Sequence, residues 1–229
     1  MRKLKVAIFV ILIQAYLDCV SGKGSQQSPI DLKNARPRIC DDLVYNYFDD
    51  GKSKKKVRNN GHTVKITYDQ GYLPSVTGGP LFKDTFIFVE VHFHWGTNDQ
   101  EGAEHTINGA KYSMETHVVH YNKKYGSLEK ALHQKDGVAV SGILMKDLAP
   151  GKNEDNKLLL PLTNRLEQIH NEQASFIVSG DEILSWLWPF LKCDKYYTYF
   201  GSLTTPDYNE VVTWVVYQDI MHISTNQVQ

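Results

Sequence analysis

The sequence predicts a mainly β fold in a single domain, and three observations carry that prediction. Segments of alternating character near residues 43–48, 62–68, 86–95, 112–121, 138–146 and 211–217 read as strands. Between them stand turn signals: Asp50-Gly51, Asn60-Gly61, Gly78-Gly79-Pro80 and Asn108-Gly109. The 13 Tyr, 9 Phe and 4 Trp also favour strands. Helical pattern is sparse. Ser127–His133 opens on a serine suited to N-capping, and Asp155–His170 offers a second helix interrupted by Pro161.

At 229 residues, 41% hydrophobic and 22% charged, the chain has globular composition, which excludes disorder, collagen and a coiled coil. A net charge of −1 removes the electrostatic reason to expect nucleic acid. Residues 1–21 set a basic start before an apolar run, Val6–Leu17, and read as a secretory signal peptide. That run falls short of the ~20 residues of a membrane span. The expectation is a secreted protein with no membrane anchor, its domain covering residues 22–229. Of three cysteines, Cys19 lies in the leader; Cys40 and Cys193 remain, and sequence does not show that they meet. The basic run Lys52–Arg58 reads as a solvated loop or hairpin edge rather than an anion-binding patch.

Chemistry concentrates in Phe86–Trp95. Strand alternation puts Phe88, Glu90, His92 and His94 on one face, and Ile87, Val89, Val91, Phe93 and Trp95 on the other. Two imidazoles two residues apart approach the spacing that grips one metal ion. In Tyr112–Tyr121 the same alternation groups Glu115, His117 and Val119, opposite Thr116, Val118 and His120. If the two strands are neighbours, His117 completes a three-histidine site and Glu115 orients a ligand imidazole from behind. Three neutral imidazoles with an open fourth position is the pattern of catalytic zinc, and imidazole also suits copper, nickel and iron. A cupin-type metal oxygenase uses His-x-His with an acid soon after; here the nearest acids beyond His94 are Asp99 and Glu101, a poor fit.

Six motifs in order then resemble the α-class carbonic anhydrases: Gln27-Ser-Pro-Ile-Asp31, Asn59-Asn-Gly-His62, Phe93-His-Trp-Gly96, Glu104-His-Thr106, Glu115-Thr-His117 and Gly201-Ser-Leu-Thr-Thr-Pro206. The resemblance implies one large twisted, mostly antiparallel sheet and a zinc ion on His92, His94 and His117. It implies a lyase that hydrates CO2 to bicarbonate, with CO2 and bicarbonate as its small-molecule partners. Thr204 and Glu104 match the pair that orients the attacking hydroxide, and His62 matches the proton shuttle. Val119, Val140, Leu203, Val212 and Trp214 match the apolar wall for CO2, and Thr205 a residue that positions bicarbonate. Glu90 stands where many members carry Gln, and Glu115 matches a support of the third ligand.

Against the family the chain is short at both ends, lacking an N-terminal segment and the final strands. The resemblance therefore implies unpaired edges inside the sheet and apolar surface open to water. A non-catalytic relative of these enzymes is the alternative reading of such a chain.

Overall fold

A computed structural model describes residues 24–33, 38–39, 43–46, 51–147, 154–192 and 195–228. The signal-peptide reading of residues 1–21 and the cysteines Cys40 and Cys193 fall outside the described residues. Among those described are β1 (Arg38–Ile39), β2 (Val44–Asn46), β3 (Lys54–Asn59), β4 (Val64–Gln70), β5 (Ser75–Thr77) and β6 (Phe86–Trp95). They continue with β7 (Met114–Asn122), β8 (Val138–Asp147), β9 (Ser175–Ser179), β10 (Lys195–Gly201), β11 (Val212–Tyr217) and β12 (Met221–Ile223). All join one sheet, whose main path runs β1-β10-β11-β8-β7-β6-β4-β3-β9. Pairing is antiparallel except where β11 and β12 lie parallel to β8. The mainly β, one-sheet expectation holds.

Helical pieces are short. Leu128–Ala131 forms one turn, and the Ser127 side chain accepts from Lys130 N at its start as expected. The Asp155–His170 region yields only Leu160–Thr163 and a 3-10 turn at Leu166–Ile169. Pro161 sits in the first turn of the former, where its missing N–H costs nothing, so it opens a helix rather than interrupting one.

From Lys54 the basic run is strand rather than loop; it does form a hairpin, with β4, but β9 covers its other side, so it is no edge. In β3, Val57 and Lys55 face inward, fully buried. The Lys55 amine reaches Gly180 O at 2.9 Å and Asp181 Oδ1 at 3.1 Å and lies over the Tyr68 ring. A charge so partnered is tolerated inside.

Among the described residues the histidine strands show none of the expected open edges, although β12 pairs with β8 alone. β8 pairs with β7 along one side and with β11 and then β12 along the other. The strands that carry the histidines, β6 and β7, each have neighbours on both sides. Two apolar layers result. One face packs Val57, Ile66, Val91, Val118 and Val215 with Trp186 and Leu187; the opposite face packs Val119, Val140, Val212, Trp214 and Val216.

Candidate metal centre

The imidazoles come together through register. His92 on β6 lies directly across from His117 on β7, and His94 across from Glu115. Ligand nitrogens of His92, His94 and His117 all lie within 4.8 Å of one another, a group that could hold a metal ion. His94 Nε2 and His117 Nδ1 are 3.1 Å apart.

The alternation argument succeeds for these three and fails one turn of the pleat away. Phe88 pairs with His120 and Glu90 with Val119, so β6 advances two residues while β7 advances one. This β-bulge sends Phe88 into the layer of Val91 and Phe93, whereas Val89 packs toward the layer of Val119 and Trp214. Phe88 and Val89 thus exchange the faces that strict alternation gives them. Nothing in the sequence marks the extra residue.

The far nitrogens of two ligands are occupied by carboxylates. His92 Nδ1 donates to Glu90 Oε1 at 3.1 Å, leaving Nε2 for a metal. His117 Nε2 donates to Glu115 Oε1 at 2.9 Å, leaving Nδ1. Such carboxylate–imidazole pairs fix tautomer and ring angle. Glu115 is fully buried; it also accepts from His105 Nδ1 at 2.7 Å and from the backbone N–H groups of Glu104 and His105 at 2.9 and 2.8 Å. Burial alone would raise its pKa, but His105 and His117 hold it well below the usual carboxylate range. Gly142 stands opposite His117 on β8, and a Cβ there would come to 3.0 Å from Glu115 Oε1.

Burial, with the neighbouring imidazoles His117 and His92, keeps the His94 pKa well below its ordinary value. Burial likewise pushes His117 down to about 4, although Glu115 pulls the other way. Both rings are therefore neutral at pH 7, the state a metal requires. Burial and then the Glu115 charge push Glu104 up to about 8, against a hydrogen bond from Thr204. Glu104 Oε1 lies 3.4 Å from His94 Nδ1.

The apolar residues named from sequence are brought together. Val119, Val140, Val212 and Trp214 share one buried cluster, with Leu203 packed against it. Trp214 meets the His117 ring edge-on at 4.8 Å. Thr205 is exposed one residue beyond Thr204. His62 is exposed in a turn where Asn60 Oδ1 accepts from His62 N and Thr63 N. Thr63 in turn bonds both Phe93 N and Phe93 O, which sets His62 beside the strand segment between His92 and His94.

Four participants escape sequence reasoning. His105, fully buried, bonds Glu115 on one side and the Tyr199 hydroxyl at 2.6 Å on the other; that hydroxyl lies 2.9 Å from Ser28 Oγ. Ser28 is pinned by Ser202, and Leu32 N donates to Thr106 O. The motif around Gln27–Asp31 thus closes the back of the centre. Lys65, the fourth, bonds Glu90 Oε2 at 2.7 Å. The Glu104-His-Thr106 motif of the resemblance was the one signal available for His105; Lys65 had none.

Fold and site together define a β-sheet protein with a cluster of three imidazoles, able to hold a metal ion, set against an apolar wall. A family profile, eukaryotic-type carbonic anhydrase, matches residues 14–229, and the chain belongs to that family of enzymes. It is 34% identical to human carbonic anhydrase 3 over 209 residues, 90% of this chain and 77% of that protein. Mouse carbonic anhydrase 3 is 35% identical over 207 residues, 90% of this chain and 76% of the relative. Mouse carbonic anhydrase 1 is 36% identical over 211 residues, 89% and 76% respectively.

These relatives correct the expectation of a secreted protein, because carbonic anhydrases 3 and 1 are cytosolic enzymes. The cupin alternative falls with the family assignment. Among the described residues, no helix is long and apolar enough to cross a membrane.

Proposed function

We propose that the protein catalyses the zinc-dependent, reversible hydration of CO2 to bicarbonate and a proton, with His92, His94 and His117 as the metal ligands. The observation that carries this is the convergence of three imidazoles, two of them with the far nitrogen already donated to a carboxylate. That donor set fits zinc, with one position left for water. When bound, zinc supplies hydroxide at neutral pH by lowering the pKa of water to about 7, an effect for which carbonic anhydrases are themselves the standard instance.

The chain's own residues do the rest. Thr204 accepts a hydrogen bond from the attacking hydroxide and passes its own proton toward Glu104, which aims the nucleophile. That direction needs Glu104 ionised, a form that a dication held by the three histidines would favour. Val119, Val140, Leu203, Val212 and Trp214 offer CO2 an apolar surface, and Thr205 positions bicarbonate. His62, exposed and near the ligand strand, carries the proton out. Glu90 and Glu115 orient the ligands from behind; a carboxylate in place of an amide at Glu90 would make His92 a stronger donor to the metal.

Elemental analysis of the zinc-reconstituted protein should find one zinc per chain, lost in His117→Ala, and stopped-flow assay should find CO2 hydration. Full zinc retention by His117→Ala overturns the ligand assignment. Stoichiometric zinc without hydration overturns the activity and favours a non-catalytic relative.

A further inference from the structure

The register of the sheet places the basic run where sequence alone could not. Across the strands, Ser175 pairs with Arg58, Arg58 with Lys65, Lys65 with His92, and His92 with His117. Directly paired residues share a face, so Arg58 and Lys65 continue the row of the metal ligands outward across the sheet. Lys56 and Lys54 alternate with buried Val57 and Lys55 and so lie on the same face as Arg58. Strands stand about 4.8 Å apart, which puts Lys65 about one strand and Arg58 about two strands from His92.

This arrangement runs against local stability. Like charges directly opposite each other on neighbouring strands are destabilising, and Arg58 faces Lys65. On β3, β4, β6 and β9 the carboxylates are Glu90, which Lys65 holds at 2.7 Å, and Asp69 at the far end of β4. Arg58 donates to the neutral amide of Gln173, whose own Nε2 donates to Glu172 Oε1 at 3.3 Å, so the nearest carboxylate on that side meets Arg58 only through the amide. No carboxylate among the described residues pairs with Lys56. A local rule broken beside a site, with incomplete compensation, points to use.

We propose that Lys56, Arg58 and Lys65 form a cationic approach that concentrates small monovalent anions, bicarbonate among them, at the metal centre. The metal and the naming of bicarbonate rest on the function proposed above; the placement of the three cations does not. Lys65 and Arg58, at one and two strand spacings, lie within about a Debye length at physiological salt, and Lys56, two residues farther along β3, acts through its long side chain and at low ionic strength; all three are tunable by salt.

Anion binding is the proper readout, because the ratio of kcat/KM in the two directions is fixed by the overall equilibrium whatever the charges do. The cobalt-loaded protein is titrated with thiocyanate, and its visible spectrum gives the dissociation constant. Lys56→Gln and Arg58→Gln should each weaken thiocyanate by about 2–3-fold at low ionic strength, with the loss shrinking as salt is added. Neutral imidazole, titrated in parallel, should bind the variants as it binds the wild type, and Lys56→Arg should restore thiocyanate affinity. An unchanged thiocyanate constant, or an equal loss for imidazole, overturns the proposal. If cobalt fails to bind, the metal reading falls, and bicarbonate added to the metal-free protein decides the rest. Backbone-amide shifts at Arg58 and Lys65 that Lys56→Gln diminishes support the cationic approach; their absence overturns it.

Discussion

Glu115 and Glu90 each hold one imidazole of the triad from behind, in opposite surroundings. Glu115 is sealed inside the sheet and accepts four hydrogen bonds, from two backbone N–H groups and two histidines. Glu90 is partly exposed, serves one histidine and shares its charge with Lys65. The same chemical device therefore has two costs of removal. Where the carboxylate is buried, its loss strands several donors away from water; where it is partly solvated, water replaces what is removed.

The largest expected effect comes from breaking the sealed side. Glu115→Gln turns one acceptor oxygen into a donor facing donors, and urea unfolding of the metal-free protein should show a loss of about 3–5 kcal/mol. A loss below that of a surface substitution would mean that the buried network relaxes freely.

A second test uses the other face of β7. His120 is fully buried against Phe88, and burial pushes it down to about 3, with the backbone at Val118 and Ala139 pulling the other way. The unfolded chain binds a proton near pH 6.5 that the folded chain refuses until about pH 3. This contribution is therefore complete above pH 6.5 and is lost as pH falls toward 3. Between pH 7 and pH 5 it should amount to about 2 kcal/mol of lost stability. Urea midpoints of wild type and His120→Asn, followed over that range, check it: the variant should lack this part of the slope.

Gly142→Ala sharpens the comparison from the neighbouring strand. Its methyl group would press on Glu115 Oε1, so the expected cost is about 1–2 kcal/mol with a weaker hold on zinc. No comparable glycine backs Glu90. The smallest effect on folding should be Glu90→Ala, within about 0.5 kcal/mol, while zinc affinity measured against a chelator falls by about 10-fold. Equal losses of stability at Glu90 and Glu115 would dissolve the distinction between them.

What sequence revealed of this centre follows strand periodicity. His92, His94, His117 and Glu115 could be grouped because alternation is strict over the few residues that hold them. Phe88 could not be placed, since a bulge is a matter of pairing between strands and leaves no composition of its own. His105, Tyr199 and Ser28 come from separate segments that meet only in three dimensions, so no spacing announces them. The basic run was misplaced for a different reason: its lysines outweighed the alternation that buries Val57 and Lys55 and puts Lys56 and Arg58 on the face of His92.

The bulge in β6 bears on how this strand tolerates a change in length. Removing Val89 would bring Phe88 next to Glu90, and a regular pleat would then keep Phe86, Phe88, Val91 and Phe93 on one side and Glu90, His92 and His94 on the other. A one-residue deletion, ordinarily ruinous in a central strand because it turns every later side chain over, would here leave each where it belongs. The surplus residue buys curvature, since a bulge adds local twist. A chain lacking Val89 should fold with its three imidazoles still on one face, along a straighter strand whose changed twist loosens their convergence on a common point.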